Sequence, residues 1–260
     1  MSVIPRTTIE LLAASADDCV AAARLGADRV ELNASIGAGG LTPSAGSLRA
    51  ARARAAIPIV AMLRPRPGAF LYSDADFDAM RRDAALLAQE GAAGFAFGFL
   101  SADGRIDEAR CAALMAEAPG LEWVFHRAFD LVPEPFEALE ALIGLGVRRL
   151  LTKGRANSFE EGEPLLLELR ERAAGRLEIL VPGLRPHNIE RVVGADGFRQ
   201  LHLGRFVERL DPSASGNPAL RFGSGAEGGG AAYQVLDEDY AREMIGKIRA
   251  AEPAAHRSGR

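Results

Sequence analysis

"RLGADRVEL" (residues 24–32) and "GLGVRRLLT" (residues 144–152) are two copies of one joint: a helix end, a glycine, a small apolar residue, a charge and then an apolar run. A glycine just past the last helical turn closes a helix with left-handed backbone, and the short link beyond it feeds a parallel strand. Outward from these joints the pattern repeats. Short apolar runs begin near residues 7, 28, 58, 94, 121, 148, 177 and 199, in "TIELLAA", "DRVELNA", "PIVAMLR", "GFAFGFL", "LEWVFHR", "RRLLTK", "LEILVPG" and "RQLHLGR". Helical patterns alternate with them at 15–25, 46–55, 74–90, 105–117, 133–144, 160–173 and 186–194. Ser15 with Asp18, and Ser73 with Asp76, have the spacing of helix N-caps. Eight βα units predict an α/β fold of the TIM type, a single-domain (β/α)8 barrel over residues 1–210. A Gly/Pro/Ser-rich loop is expected over 211–236, either a plain connector or a segment folded over the barrel mouth. A closing helix over 237–252 and a flexible tail over 253–260 complete the chain.

With 260 residues, 48% hydrophobic and 25% charged, the chain has the composition of one globular domain. The N-terminus lacks an export signal, and no apolar run reaches membrane-spanning length, so a cytoplasmic protein without a membrane partner is expected. A net charge of -4 with no basic stripe argues against nucleic acid. Cys19 and Cys111 each fall within a helical pattern and are expected as core thiols, not as a disulfide.

Catalytic groups of such barrels stand at the C-terminal ends of the strands, so position along a strand carries meaning. "FHRAFD" (125–130) puts His126, Arg127 and Asp130 at the end of the fifth strand, "MLRPRPG" puts Arg64 and Arg66 at the end of the third, and "LTKGR" puts Lys153 at the end of the sixth. "HLGR" puts His202 and Arg205 at the end of the eighth. This cationic mouth suits a small anion. Glu10 and Glu31 stand lower, as counter-ions of the arginines or as general acid and base. The glycine-rich "GAGGLTPS" (37–44), and more weakly "GSGAEGGG" (223–230), could offer backbone amides to an anion, or could be turns, the first capped by Ser44. No spaced metal-ligand signature is present, so metal ligands are unassigned.

"GADRVELN" (26–33), "GGLTPS" (39–44), "RPRPGAFLYSD" (64–74), "FHRAFD" and "LTKG" (151–154) follow one another at intervals that resemble the CutC family of copper homeostasis proteins. The resemblance covers about residues 8–210, with an echo in "LRFGS" (220–224) and the last helix. It implies a TIM-barrel-like fold, cytoplasmic location, a homodimer, and copper as the only cofactor suggested. Cysteines common in the family's first two strands are here Ala13 and Asn33. Acidic residues are replaced by Ala38 and Ala69, and a serine by Lys153. Cu(I) prefers thiolate and thioether ligands, so these exchanges weaken the copper expectation. Among the positions shared with the family, Glu10, Glu31, Thr42, Arg64, Arg66, His126, Arg127 and Asp130 survive.

Three expectations follow. The first is a small anionic, carbohydrate-like ligand at the C-terminal face, held by Arg64, Arg66, Arg127, Asp130, Thr42, Asn33, His202 and Arg205. His126, Glu10 and Glu31 are candidates for proton transfer if the protein is an enzyme of lyase, aldolase or isomerase type. Lys153 is a candidate for a Schiff base, against an anion-binding or rim lysine. The alternatives are a copper-binding protein without catalysis and a module that senses its ligand without converting it.

Overall fold

Gly26 and Gly146 both take left-handed backbone, with φ of 87° and 78°, and each hands the chain from a helix to a strand as the two joints require. The computed structural model describes residues 6–217 and 232–252. Strands β1 (Thr8–Ala13), β2 (Arg29–Leu32), β3 (Ile59–Met62), β4 (Gly94–Phe97), β5 (Glu122–Phe125), β6 (Arg149–Leu151), β7 (Glu178–Val181) and β8 (Gln200–Leu203) pair in chain order. The sheet closes where β8 pairs with β1. Helices α1 (Ala16–Leu25), α2 (Ala45–Arg54), α3 (Asp74–Gln89), α4 (Glu108–Met115), α5 (Pro135–Gly144) and α6 (Phe159–Ala173) fill six of the crossovers. Ser15, Ser44, Ser73 and Ser158 each cap a helix by accepting a backbone N–H three residues on. In place of the helix expected at 186–194, the chain makes a π-helical turn at Arg191–Ala195.

Strand alternation separates two apolar regions. Ile9, Leu11, Val30, Ile59, Ala61, Phe95 and Phe97 join helix residues, Cys19 and Cys111 among them, in the large core between barrel and helices. The alternate residues Val60, Met62, Ala96, Val124, Leu151 and Leu180 form a separate apolar cluster, which is the inside of the barrel. Below it the buried Arg149 pairs with the exposed Glu122 at 2.5 Å, and the buried Arg29 pairs with the buried Glu10 at 2.5 Å. Register makes the second pair unavoidable, because Glu10 stands beside Arg29 on one side and His202 on the other.

The segment after the barrel departs from the expected connector. β9 (Phe206–Leu210) and β10 (Ala232–Leu236) form an antiparallel ribbon, and Pro212–Gly216 is a 3-10 turn. The glycine-rich "GSGAEGGG" and "LRFGS" lie outside the described residues. Pairing of β10 satisfies backbone groups that a free connector would leave to water, and the Leu236 N–H donates to Asp18 at 3.0 Å. Among the described residues the ribbon stands beside the mouth: it bounds a hollow of about 530 Å3 with Ala14, Ser35 and Ala38. It contributes nothing to the lining of the central cavity. Helix α7 (Glu238–Ala251) then returns to α1, where Arg249 pairs with Asp28 at 2.6 Å. No helix among the described residues is long and apolar enough to cross a membrane.

Candidate functional site

At the C-terminal face the barrel opens into a cavity of about 390 Å3, within the size range of small-molecule sites. Glu31, Asn33, Arg64, His126, Arg127 and His202 supply its polar wall, and Leu12, Ile36, Met62, Phe70 and Leu151 its apolar wall. The structure therefore brings together six of the residues expected from sequence.

Arg64 is 7% exposed, and its guanidinium donates to three carbonyls, Ala38 and Gly40 at 3.0 Å and Gly68 at 2.7 Å. It makes no ion pair with a carboxylate among the described residues. The glycine-rich turn at 37–40 thus serves a different purpose from an amide cradle. The amides of Gly39 and Gly40 are spent on Ile36 and Ser35, while the carbonyls of Ala38 and Gly40 hold the arginine. Gly40 has φ 81°, and a Cβ there would lie 2.3 Å from the Asn33 Oδ1, so this turn admits no side chain. Ser44 accepts from Ser47 N, as the capping alternative required.

In "FHRAFD", His126 follows β5 directly. It is 4% exposed and caps the 3-10 turn Arg127–Leu131, its Nδ1 accepting the Ala128 N–H at 3.2 Å. An Nδ1 that accepts leaves the ring proton on Nε2 in the neutral imidazole. That Nε2 has no partner. Burial, reinforced by the nearby Arg64 charge, brings the pKa down to about 3, so the ring is neutral at physiological pH. Phe70 packs on it with ring centroids 4.8 Å apart. On the other side Gly98 leaves the necessary room, since a Cβ there would lie 2.5 Å from the ring.

At His202 the balance runs the other way. Burial works against its charge, but the hydrogen bond to Glu10 at 2.7 Å and the charges of Glu31 and Glu10 outweigh it and raise its pKa. Glu10 is fully buried and does not line the cavity. Burial would raise its pKa, but Arg29 and then His202 more than compensate, bringing it to about 2. Glu10 is therefore an anion at neutral pH, beneath the cavity floor. The Glu31 Oε1 accepts from Asn33 Nδ2 at 2.9 Å, while its Oε2 is buried without a partner. Burial is the main cause of its raised pKa, with His202 opposing and Glu10 adding to it.

The remaining candidates hold the frame. Asp130 accepts from Arg127 Nε at 2.7 Å, Thr152 Oγ1 at 2.5 Å and Arg155 N at 3.1 Å, clamping the ends of β5 and β6. Thr42 accepts the Arg64 N–H at 2.9 Å. Arg66 leaves the cavity for Asp76, and Arg205 for Asp237. Lys153 also misses the lining. Burial and neighbouring arginines lower its pKa, but Nζ donates to Asn157 O at 3.2 Å. Sequence reasoning overlooked Arg29, whose place opposite Glu10 follows only from strand register, and Phe70, which lies in a loop. It also overlooked the apolar half of the wall.

The thiols do not fit copper. Cys19 and Cys111 are fully buried in the helix shell as free thiols, and burial pushes both pKa values up to about 12. Among the described residues Met62 is the only sulfur lining the cavity, whose wall also holds a buried arginine. A site for Cu(I) needs soft ligands, and one thioether among cationic groups does not supply it.

Against known proteins, the chain is 44% identical over 238 residues to a CutC family protein of Chromobacterium violaceum, covering 90% of this chain and 92% of that one. It is 42% identical over 195 residues to the human copper homeostasis protein cutC homolog, covering 75% of this chain and 71% of that one. The solved structure of a copper homeostasis protein CutC of Streptococcus agalactiae superposes with a TM-score of 0.71 at 29% identity, covering 76% of this chain and 98% of that one. An aldolase, QR15, shares the fold alone, with a TM-score of 0.57 at 15% identity, covering 78% of this chain and 91% of that one. Residues 7–206 match the CutC family, and the chain belongs to it.

Proposed function

We propose that the central cavity binds, and converts, a small anionic, carbohydrate-like molecule. The observation that carries this reading is Arg64, a buried guanidinium in the cavity wall with carbonyl partners and, among the described residues, no carboxylate. Carbonyl dipoles take up N–H groups of Nη1 and Nη2, while Nε is buried without a partner among the described residues and the charge stays uncompensated; a ligand carboxylate or phosphate supplies the missing anion. Arg127, also in the wall, adds a second cation. Asn33, Glu31 and His126 offer the mixed donors and acceptors that hydroxyl and carbonyl groups need, and Phe70, Met62 and Leu151 offer surfaces for C–H faces.

Calorimetric titration with a panel of sugar phosphates and sugar acids tests this. Arg64→Met is expected to weaken binding of the tightest member about 10- to 100-fold, the effect of losing a charge-assisted hydrogen-bonding group. Unchanged affinity in a folded variant refutes the reading. The relatives' names raise copper as the competing ligand. An anaerobic Cu(I) titration against a chromophoric chelator is expected to show no stoichiometric competition by this chain. Tight stoichiometric binding would favour a copper role instead.

A further inference from the structure

We infer that the cavity is built to move a proton at a carbon next to a carbonyl, with Glu31 as the base and His126 as the hydrogen-bond donor to the carbonyl oxygen. The inference rests on the proposed anionic ligand and names its class: a hydroxyaldehyde or hydroxyketone carrying a phosphate or carboxylate.

Two atoms carry it. Among the described residues the Glu31 Oε2 and the His126 Nε2 are both buried without partners, on residues that line the same cavity. A buried polar atom left unpaired costs about 1–3 kcal/mol, so two of them on one cavity wall point to a ligand that pairs both. Their chemistry is complementary. The Glu31 Oε1 is fixed by Asn33, leaving the second oxygen to accept a proton. His126 has its Nδ1 occupied by a backbone N–H, leaving Nε2–H able only to donate. A neutral imidazole that donates to a carbonyl, sharing a cavity with a carboxylate whose pKa burial raises, is a recurring acid–base division of labour. The Arg64 guanidinium also lines the cavity, where negative charge develops on the substrate oxygen.

The step balances without a co-reactant. Glu31 takes the proton from the carbon beside the carbonyl, and the C–H electron pair forms the C=C bond. The carbonyl π pair moves onto oxygen, where His126 Nε2–H stabilises it without giving up its proton. Glu31 then returns the proton to the neighbouring carbon while the hydroxyl proton passes between the two adjacent oxygens, giving an isomer. Return to the original carbon regenerates the substrate or its epimer. A Schiff-base route would use Lys153, whose amine is engaged with Asn157 outside the lining.

Dihydroxyacetone phosphate, ribulose 5-phosphate and hydroxypyruvate in D2O, each followed by proton NMR for loss of the C–H signal beside the carbonyl, give the test. The three are also titrated calorimetrically. At least one is expected to bind and to exchange its hydrogen. Glu31→Gln is expected to slow that exchange about 100- to 10,000-fold with binding within a few-fold of wild type, the range for losing a positioned base. Glu31→Asp, purified in parallel, is expected to retain partial exchange. Binding without exchange overturns this inference and leaves the anion site standing, as does exchange indifferent to Glu31→Gln. Neither binding nor exchange by any of the three rejects both.

Discussion

Arg29→Met is expected to lower the free energy of unfolding by about 3–5 kcal/mol, because it removes one partner of a buried ion pair and leaves the other charge in place. Glu10 is fully buried, and Arg29 Nε donates to its Oε2 at 2.5 Å. Arg29 also reaches Gln200 at 3.3 Å, tying β2 to β8 through the barrel interior. Methionine keeps most of the side-chain volume, so the loss reports charge more than cavity. His202 remains as a second partner, which keeps the expected cost inside that range. The double change Arg29→Met with Glu10→Gln removes both charges and is expected to recover part of the loss. Urea unfolding of the wild type, the two single variants and the double variant closes the cycle, and a double-variant loss equal to the sum of the two single losses would show that the pair contributes nothing as a pair.

Acid is expected to act nearly as strongly, through His126. Its pKa is about 3 in the folded protein and near 6.5 unfolded, so between those values the unfolded state binds the extra proton. The stability contributed by the neutral ring is full above 6.5 and is lost as pH falls toward 3, by about 5 kcal/mol at most at roughly 1.4 kcal/mol per unit. Glu10 acts in the same direction, its contribution present above 4.5 and lost as pH falls toward 2. The raised pKa values of Glu31 and His202 act oppositely, so their contributions weaken as pH rises through those values. His126→Asn isolates the histidine: the wild-type stability, compared with this variant, should decline steadily from pH 6.5 to pH 4. Parallel pH profiles would mean that His126 is protonated as readily folded as unfolded.

The site was partly legible because strand alternation can be counted from the residues. In "LEWVFHR" the inward positions are Val124 and His126, and the cavity finds His126 there. The count loses force beyond a strand end. Arg64, two residues past the end of β3 at Met62, still reaches the cavity, but Arg66, four residues past it, sits in a loop that turns it to Asp76 on α3. Lys153, two residues past β6, is drawn to the Asn157 carbonyl, and Arg205, out of phase with the inward His202, pairs with Asp237.

By itself, then, the sequence determined the barrel, because helix-closing glycines, caps and apolar runs are local signals repeated eight times, each consistent with the others. Its ordered motifs also identified the family. Tertiary structure alone decided which charges face the cavity and in what state. The Ala128 N–H fixes the His126 tautomer, the register of β1 against β2 and β8 makes Glu10 a buried anion, and the carbonyls of a glycine turn hold Arg64. Protonation and pairing depend on burial and on neighbours distant in the chain, and no local pattern of residues encodes either.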